Sequence, residues 1–196
     1  KIFYIHQNDN RNFNRGALKN IGFIVVKEMY PNSYKNITLV FNDVDTMPIS
    51  KNMLNYHTTK NIVKHFYGFK HTLGGIVSIK GADFESVNGF PNFWSWGYED
   101  NVLNKRVENK NIKIDRSVFF HIRDKNIIQL NESSYRTVNE TEYSLFKKKT
   151  YEGITNITNL TYNINYETNF IDVNTFDTGR NARTDKDKQY DLKNGN

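Results

Sequence analysis

Two aspartates, Asp43 and Asp45, directly follow an apolar run over 37–41. Hard cations such as Mg²⁺ and Mn²⁺ prefer carboxylate oxygens, so a strand that ends in this pair is suited to hold a divalent cation together with a nucleotide. The same spacing is also typical of an ordinary solvated turn. The pair by itself leaves both interpretations open, a metal site and a turn.

A second candidate lies at residues 94–100, where two tryptophans precede two acids. Trp94 and Trp96 are separated by one residue, and Glu99 and Asp100 follow soon after Gly97. Indole faces pack on the C–H faces of sugars, and a carboxylate beside them can act as a general base. The pattern predicts a mobile sugar-binding loop next to a catalytic carboxylate. Two core tryptophans followed by acids in the first turn of a helix are the alternative.

Alternating helices and strands are predicted around these candidates. Asn14 is a suitable cap for a helix that ends near Pro31, and a second helix is predicted over 99–109. Shorter elements are predicted as strands at 2–6, 37–41, 76–79 and 117–121, helices at 82–87 and 139–150, mixed loop and helix at 46–70, and β-like alternation at 160–173. This order predicts an α/β fold with a mixed, Rossmann-like sheet flanked by helices, in which ligands bind at the carboxyl ends of strands.

Composition narrows the classes of function. The chain has 196 residues, a formal net charge of +6 and no cysteine. A basic chain suits an anionic ligand such as a nucleoside diphosphate, whereas its scattered lysines and arginines disfavour a nucleic-acid-binding protein. Disulfides, cysteine zinc sites and thiol nucleophiles are excluded. No apolar run is long enough for a membrane span and no signal peptide is visible, which with the missing cysteines favours a cytoplasmic location.

One catalytic domain is predicted over residues 1–173. From Asn174 onward the sequence is polar and charged, with few large apolar residues. Residues 174–196 are therefore predicted to form a flexible tail.

The order of the motifs resembles the β-1,4-galactosyltransferase family across residues 2–125. The resemblance lies in five stretches, which are 14–23, 41–45, 74–75, 88–100 and 121–125. It is most specific in Asn88-Gly89-Phe90-Pro91-Asn92, which leads into the tryptophan segment and Glu99-Asp100. The resemblance implies a GT-A fold and an inverting, metal-dependent hexosyltransferase that uses a UDP-sugar. Family members begin with a further strand and helix, which we expect this chain to lack.

The resemblance also implies roles for single residues. Asp45 and His121 match the metal ligands, and Mn²⁺ is the expected cofactor, with Mg²⁺ as the alternative. Asp100 matches the general base. Acceptor contacts are implied for Trp94, Asp100 and Asn101, and donor or nucleotide contacts for Phe13, Arg15, Asp43, Val44, Thr72, Gly75, Trp96 and Glu99. Many members place a third ligand, Met, where this chain has Val118, which cannot bind a metal.

The sequence leaves alternatives open for the donor sugar and for the reaction itself. Thr72 stands where galactose-transferring members have Tyr and where members that use N-acetylgalactosamine have smaller residues. UDP-Gal and UDP-GalNAc are thus both candidate donors, and a glycan or glycoconjugate is the expected acceptor. Relatives are typically Golgi-luminal. Val118 and Asn101 also suit a carbohydrate-binding module that has lost catalysis.

Overall fold

The computed structural model describes residues 1–130, 135–182 and 185–191. The chain divides into two compact units, each made of segments that are separated in sequence. Unit 1 contains Lys1–Val26, Asn88–Glu99 and the described residues beyond 134. Unit 2 contains Lys27–Val87 and the described residues from Asp100 to 130.

Helices and strands alternate in the first part of the chain, and strands dominate the last part. In chain order the elements are β1 (Tyr4–Gln7), α1 (Arg15–Met29), β2 (Thr38–Asn42), β3 (Thr46–Pro48), β4 (Ile62–Gly68), β5 (Ile76–Lys80), α2 (Gly81–Ser86), α3 (Glu99–Asn109), β6 (Lys113–Asp115), β7 (Phe120–His121), β8 (Ile127–Gln129), β9 (Tyr135–Asn139), α4 (Glu140–Phe146), β10 (Thr158–Asn165), β11 (Phe170–Asp177) and β12 (Asp187–Asp191). Two short 3-10 helices cover Tyr34–Asn36 and Ile154–Asn156. The α/β prediction is confirmed.

Unit 2 is built on a mixed sheet with the strand order β2-β5-β4-β6. β5 runs antiparallel to β2 and β4, whereas β6 and β7 run parallel to β4. The carboxyl ends of β2, β4 and β7 therefore lie at the same edge of this sheet. Because α/β sheets bind ligands at such an edge, the segments that follow these strands are the ones that can build a site.

The central strand β4 lies inside the stretch 46–70, which was predicted as loop and short helix. That prediction is wrong, since β3 also lies there. Val63, His65 and Phe66 are buried, and Phe66 and Tyr67 join a core cluster with Leu54, Ile76 and Ile127. A strand buried on both faces loses the polar–apolar alternation by which strands are recognised, and this explains the error.

Unit 1 contains a sheet with the order β1-β11-β10 and a separate pair, β12 with β9. The predicted boundary at residue 173 falls within β11, and Phe176 and Thr178 are buried. Residues 187–191 pair in register with β9. The flexible-tail prediction is therefore wrong for the described residues beyond 173, and residues 192–196 lie outside the described part of the chain.

Helix α1 begins where its sequence predicts. The Asn14 side chain accepts a hydrogen bond from the Ala17 backbone N–H at 2.9 Å, which satisfies one of the unpaired amides of the first turn. The same side chain donates to the Asn92 carbonyl at 3.1 Å. A Cβ at Gly16 would lie 2.0 Å from the Pro91 carbonyl oxygen, so only glycine fits this close contact. In the described parts of the chain, no helix combines the length and the apolar character needed to cross a membrane.

Candidate active site

The two predicted metal-site aspartates lie in a tight turn between β2 and β3. The Asp43 N–H donates to the Gly75 carbonyl at 3.1 Å, and its own carbonyl accepts from the Thr46 N–H at 3.1 Å and from Thr46 Oγ1 at 3.0 Å. The Asp45 carbonyl accepts from the Leu130 N–H at 2.7 Å. These backbone contacts fix the turn, so the two carboxylates are carried at the carboxyl end of β2.

The charges of three carboxylates reach the Tyr67 side chain at this edge of the sheet. The pKa of Tyr67 is raised first by burial, against a hydrogen bond from the Arg123 N–H, and further by the charges of Asp45, Asp43 and Asp124. The Tyr67 hydroxyl donates to Gln129 Oε1 at 3.2 Å. Carboxylate oxygens are the donors that hard cations prefer, so Asp45 can contribute to a cation site at this edge.

His121 ends β7 beside the carboxyl end of β4. Its Cα pairs with that of Gly68, and its imidazole is exposed and in edge contact with Phe119. A turn follows, in which Arg123 has a φ of 67° and the Asp124 N–H donates to the His121 carbonyl at 3.0 Å. His121 thus pairs with the residue that follows Tyr67 on β4. The charge of Asp45 acts on the side chain of the same Tyr67. An imidazole and carboxylates together fit Mn²⁺.

The predicted metal ligands, Asp45 and His121, do not form a complete metal site by themselves. Within residues 1–130, 135–182 and 185–191, no three His, Cys, Asp or Glu side chains are arranged to hold a metal ion. Val118 is 48% exposed and apolar, and it contributes no ligand. The strand predicted over 117–121 is shorter than expected, because only Phe120–His121 pair with β4.

Asp100, the predicted general base, lies in the first turn of α3 and faces a glycine turn. The Leu73 N–H donates to the Asp100 carbonyl at 3.1 Å. A Cβ at Gly74 would lie 2.2 Å from Asp100 Oδ2, so the carboxylate occupies the space that any side chain at this position would need. Gly75 has a φ of +70°, and its Cβ would meet the Tyr67 carbonyl at 2.3 Å. Gly75 is therefore required by geometry, whereas a side chain at position 74 would displace the Asp100 carboxylate.

Glu99 and Arg15, which the resemblance assigns to the donor, bind each other. Arg15 Nη1 lies 2.8 Å from Glu99 Oε1, and both side chains are largely buried. The other oxygen of Glu99 accepts from the Gly97 N–H at 3.0 Å. This ion pair connects the start of α1 with the start of α3.

The two tryptophans have different environments. Trp94 is fully buried, stacks on Phe176 with ring centroids 5.4 Å apart, and donates its indole N–H to the Arg180 carbonyl at 3.0 Å. It offers no surface to a sugar in this conformation, so the acceptor assignment for Trp94 is corrected to a core side chain. Trp96 is 36% exposed and lies 6.4 Å from the Tyr190 ring in a stacked arrangement. Of the two tryptophans, only Trp96 presents an aromatic surface.

A partly buried arginine holds the tryptophan segment in place. Arg180 binds Glu142 and Glu152 with closest distances of 2.8 and 2.6 Å, and it donates to the Asn92 carbonyl at 3.3 Å. Glu142 also accepts from the Trp94 N–H at 2.9 Å. Burial raises the pKa of Glu142, and the Arg180 charge opposes that rise. These ionic groups are all engaged in holding the segment.

The remaining predicted residues vary in exposure. Phe13 and Val44 are 58% and 82% exposed, and the Asn101 side chain is half-buried. Thr72 is buried, and its hydroxyl donates to the Phe69 carbonyl at 3.1 Å. The predicted metal ligands and base lie in unit 2, together with Asp43, Val44, Thr72, Gly75 and Asn101. Unit 1 carries Phe13, Arg15, Trp94, Trp96 and Glu99.

Two family models match this chain in succession. The model described as the N-terminal region of glycosyl transferase group 7 matches residues 1–59, and the model described as the N-terminal domain of galactosyltransferase matches residues 55–129. The chain belongs to the β-1,4-galactosyltransferase family. The two matches overlap at residues 55–59, between β3 and β4, and together they contain every predicted site residue.

Relatives in this family are similar over different lengths. β-1,4-galactosyltransferase 4 of Cricetulus griseus is 33% identical over 144 residues, which are 63% of this chain and 40% of that protein. The human β-1,4-galactosyltransferase 5 is 30% identical over 183 residues, which are 85% of this chain and 44% of that protein. This chain thus spans about two fifths of the length of the curated relatives that it matches.

Solved structures of the family share the fold. The catalytic domain of Drosophila β1,4-galactosyltransferase 7 in complex with xylobiose has a TM-score of 0.62 at 18% identity, over 89% of this chain and 79% of that one. A mutant of the same enzyme in complex with manganese, UDP-Gal and xylobiose has a TM-score of 0.63 at 18% identity, over 92% of this chain and 81% of that one. The GT-A fold of these β-1,4-galactosyltransferases is thus the fold of this chain.

Sequence reasoning missed two residues near Asp100, the predicted base. His65 and Arg116 lie next to the turn that contacts Asp100, yet neither belongs to a stretch that resembles the family motifs. His65 lies on the strand that was not predicted, and Arg116 lies between β6 and β7. The sequence signal that could have drawn attention to His65 is a histidine within a largely apolar run. The structure shows that this histidine is fully buried.

Proposed function

We propose that this chain transfers galactose from UDP-Gal to a hydroxyl group of a sugar acceptor, with inversion at the anomeric carbon. The observation that carries the proposal is that Asp45, which follows the carboxyl end of β2, and His121, at the carboxyl end of β7, lie at the same edge of one sheet. Asp100 and the turn at Gly74 belong to the same unit, so a cation site and a base can act together there.

Asp45 and His121 would hold a divalent cation at the sheet edge. Mn²⁺ is the candidate, because a solved relative was obtained in complex with manganese and UDP-Gal. Such cations are often held by one or two protein ligands together with phosphate oxygens of the substrate, which suits a site with two protein ligands. When bound, the cation supplies positive charge that stabilises the leaving diphosphate.

Asp100 would act as the general base. The acceptor hydroxyl gives its proton to the Asp100 carboxylate while its oxygen forms a bond to the anomeric carbon, and the bond from that carbon to the diphosphate oxygen breaks. The departing UDP keeps the electron pair of that bond. A single displacement of this kind inverts the configuration. The contact with Gly74 and the hydrogen bond from Leu73 hold Asp100 for this role.

Trp96 would provide the sugar-binding surface, since it is the partly exposed tryptophan of the segment. Arg15 and Glu99 can reach the donor only if their ion pair exchanges partners. Gly97, which donates to Glu99 and has a φ of +121°, is a suitable pivot for that exchange.

Thr72 keeps UDP-GalNAc as a second candidate donor. A small side chain leaves space for a 2-acetamido group, and Tyr at this position would take that space. Thr72→Tyr should raise the kcat/KM ratio of UDP-Gal to UDP-GalNAc. Thr72→Val is the matched control, because it keeps the size and removes only the hydroxyl that binds the Phe69 carbonyl. An unchanged ratio in Thr72→Tyr would show that Thr72 does not line the donor pocket.

Donor binding and transfer together test the proposal. Calorimetry should detect UDP binding that requires Mn²⁺, and a transfer assay with UDP-Gal and a panel of acceptor sugars should give product of inverted configuration. Sugar binding without any UDP binding would instead indicate a carbohydrate-binding module. Failure to bind either ligand would reject both functions.

A further inference from the structure

Arg116 connects three elements of unit 2 beneath the glycine turn. Its Nε donates to His65 Nδ1 on β4 at 3.0 Å. Its Nη2 donates to the Thr72 carbonyl at 3.2 Å and lies 3.4 Å from Asn104 Oδ1 on α3. Asn104 in turn donates to Glu108 at 2.8 Å. One guanidinium therefore joins β4, the turn at 72–75 and the helix that carries Asp100.

His65 extends this connection to the other side of the turn. A guanidinium can only donate, so Nδ1 of His65 must accept, and the proton of the neutral ring must be on Nε2. Nε2 lies 3.0 Å from the Tyr67 carbonyl and 3.1 Å from the Gly74 carbonyl, and it donates to them. Burial first, and the Arg116 charge second, lower the pKa of His65 to about 4, so the ring is neutral at physiological pH.

The turn held by these two residues forms one wall around Asp100. Arg116 binds the Thr72 carbonyl and His65 binds the Gly74 carbonyl. Between them, the Leu73 N–H donates to the Asp100 carbonyl, and Gly74 contacts the Asp100 carboxylate. The position of the turn and the position of the carboxylate are therefore coupled.

We propose that His65 and Arg116 are positioning residues for the general base, which hold the 72–75 turn against Asp100 so that its carboxylate stays in line with the acceptor hydroxyl. The inference rests on the proposed transferase function. It goes beyond that function because neither residue is one of the predicted substrate or metal contacts. It assigns the positioning of the base to buried His65 on β4 and partly buried Arg116 in the β6–β7 connection.

The expected effect follows from the steep dependence of rate on geometry. A displacement of about 1 Å at a reacting group costs about 10²-fold in rate, even when the mutation is remote from the chemistry. Loss of the pair should therefore lower kcat. The predicted metal ligands Asp45 and His121 are not among the partners of the pair, so Mn²⁺-dependent UDP affinity should stay the same.

The test compares matched variants of the full chain. His65→Leu removes all three hydrogen bonds of the ring, to Tyr67, Gly74 and Arg116, whereas His65→Gln keeps an acceptor and a donor at similar reach. Arg116→Met removes the guanidinium. In His65→Leu and Arg116→Met we expect kcat to fall by about 10- to 100-fold, with UDP affinity within about twofold of wild type, and we expect His65→Gln to recover most of the loss.

Gly74→Ala supplies a second route to the same displacement while keeping both side chains of the pair. Its Cβ would clash with Asp100 Oδ2, so kcat should fall while UDP affinity is kept. Amide hydrogen exchange in the 69–75 segment should become faster in His65→Leu and Arg116→Met than in His65→Gln. This measurement reports on the turn even where a variant is too slow for kinetics.

The outcomes separate this inference from the proposed function. A wild-type chain that transfers no sugar rejects the function itself. An active wild type whose kcat is unchanged in His65→Leu and Arg116→Met overturns the positioning role. An equal loss of UDP affinity and kcat, without recovery in His65→Gln, also overturns it, because that pattern indicates only a general structural role.

Discussion

Two groups of acidic residues in this chain show opposite solutions to the same electrostatic problem. In unit 1 the arginine cluster, Arg180 with Glu142 and Glu152, places one guanidinium between two carboxylates. In unit 2 the aspartate cluster, Asp43, Asp45 and Asp124, carries three negative charges that help to raise the pKa of the Tyr67 phenol. Within the residues that the structure describes, Asp45 and Asp124 form no ion pair with a lysine or arginine.

The difference between the two clusters distinguishes charged groups that stabilise the fold from charged groups that can bind a ligand. Carboxylates that share a bidentate arginine have a positive charge beside them, and the three groups contribute to holding the chain together. Carboxylate oxygens at a strand edge are instead the donors that a hard cation prefers. We therefore expect a loss of folding stability when the arginine cluster is broken, and a loss of Mn²⁺-dependent UDP binding when the aspartate cluster is broken.

The largest effect is expected for the aspartate cluster. Asp45→Ala should abolish detectable transfer and Mn²⁺-dependent UDP binding, because it removes a predicted metal ligand. The unfolding midpoint should stay near that of wild type. Activity assays and calorimetry at limiting Mn²⁺ measure both properties. Asp177→Ala is the control, since Asp177 is an exposed carboxylate on β11 that binds Asn159. If Asp45→Ala kept transfer and Mn²⁺-dependent UDP binding at the level of Asp177→Ala, the aspartate cluster would have no special role in binding.

The general base should come next in magnitude. Asp100→Asn keeps the shape and hydrogen-bonding capacity of the side chain but cannot take up the acceptor proton. General-base catalysis contributes about 10²–10⁴-fold, so turnover should fall by about that factor. UDP affinity should be unchanged, because the cation site is intact. Near-normal turnover would mean that another group accepts the proton.

Breaking the arginine cluster should lower stability rather than binding. Arg180→Met leaves Glu142 and Glu152 without their cation, and loss of one partner of a buried ion pair costs about 3 kcal/mol or more. Denaturant unfolding measures this loss. Lys188→Met is the matched control, because its ion pair with Glu140 is exposed and should contribute little. A stable Arg180→Met that loses Mn²⁺-dependent UDP binding would contradict the assignment of this cluster to structure.

The smallest effect concerns pH. The folded state holds the pKa of His65 at about 4, below its usual 6.5, so the unfolded chain binds more protons between these values. Stability from this group is fully present above pH 6.5 and decreases as the pH falls toward 4. Between pH 6.5 and 5.5 the loss should be about 1 kcal/mol. His65→Gln should show a flatter pH dependence of its unfolding free energy, and an unchanged slope would place the titration elsewhere.

Local features of the site were predictable from the sequence. The strand before Asp43, the Asn14 cap of α1 and the start of α3 at Glu99 depend on residues within a few positions of each other, and the structure confirms them. Short-range steric and hydrogen-bonding preferences act in the same way wherever such a pattern occurs. The sequence by itself therefore determined the family and the order of the predicted site residues.

Tertiary structure decided which of those residues are available. Trp94 and Trp96 have nearly the same local sequence, yet one is fully buried against Phe176 and the other is partly exposed. The Arg15–Glu99 pair joins residues that are 84 positions apart, and the contact of Arg116 with His65 joins residues that are 51 apart. Burial and pairing of this kind depend on which distant segments fold against each other, and no local pattern encodes that choice.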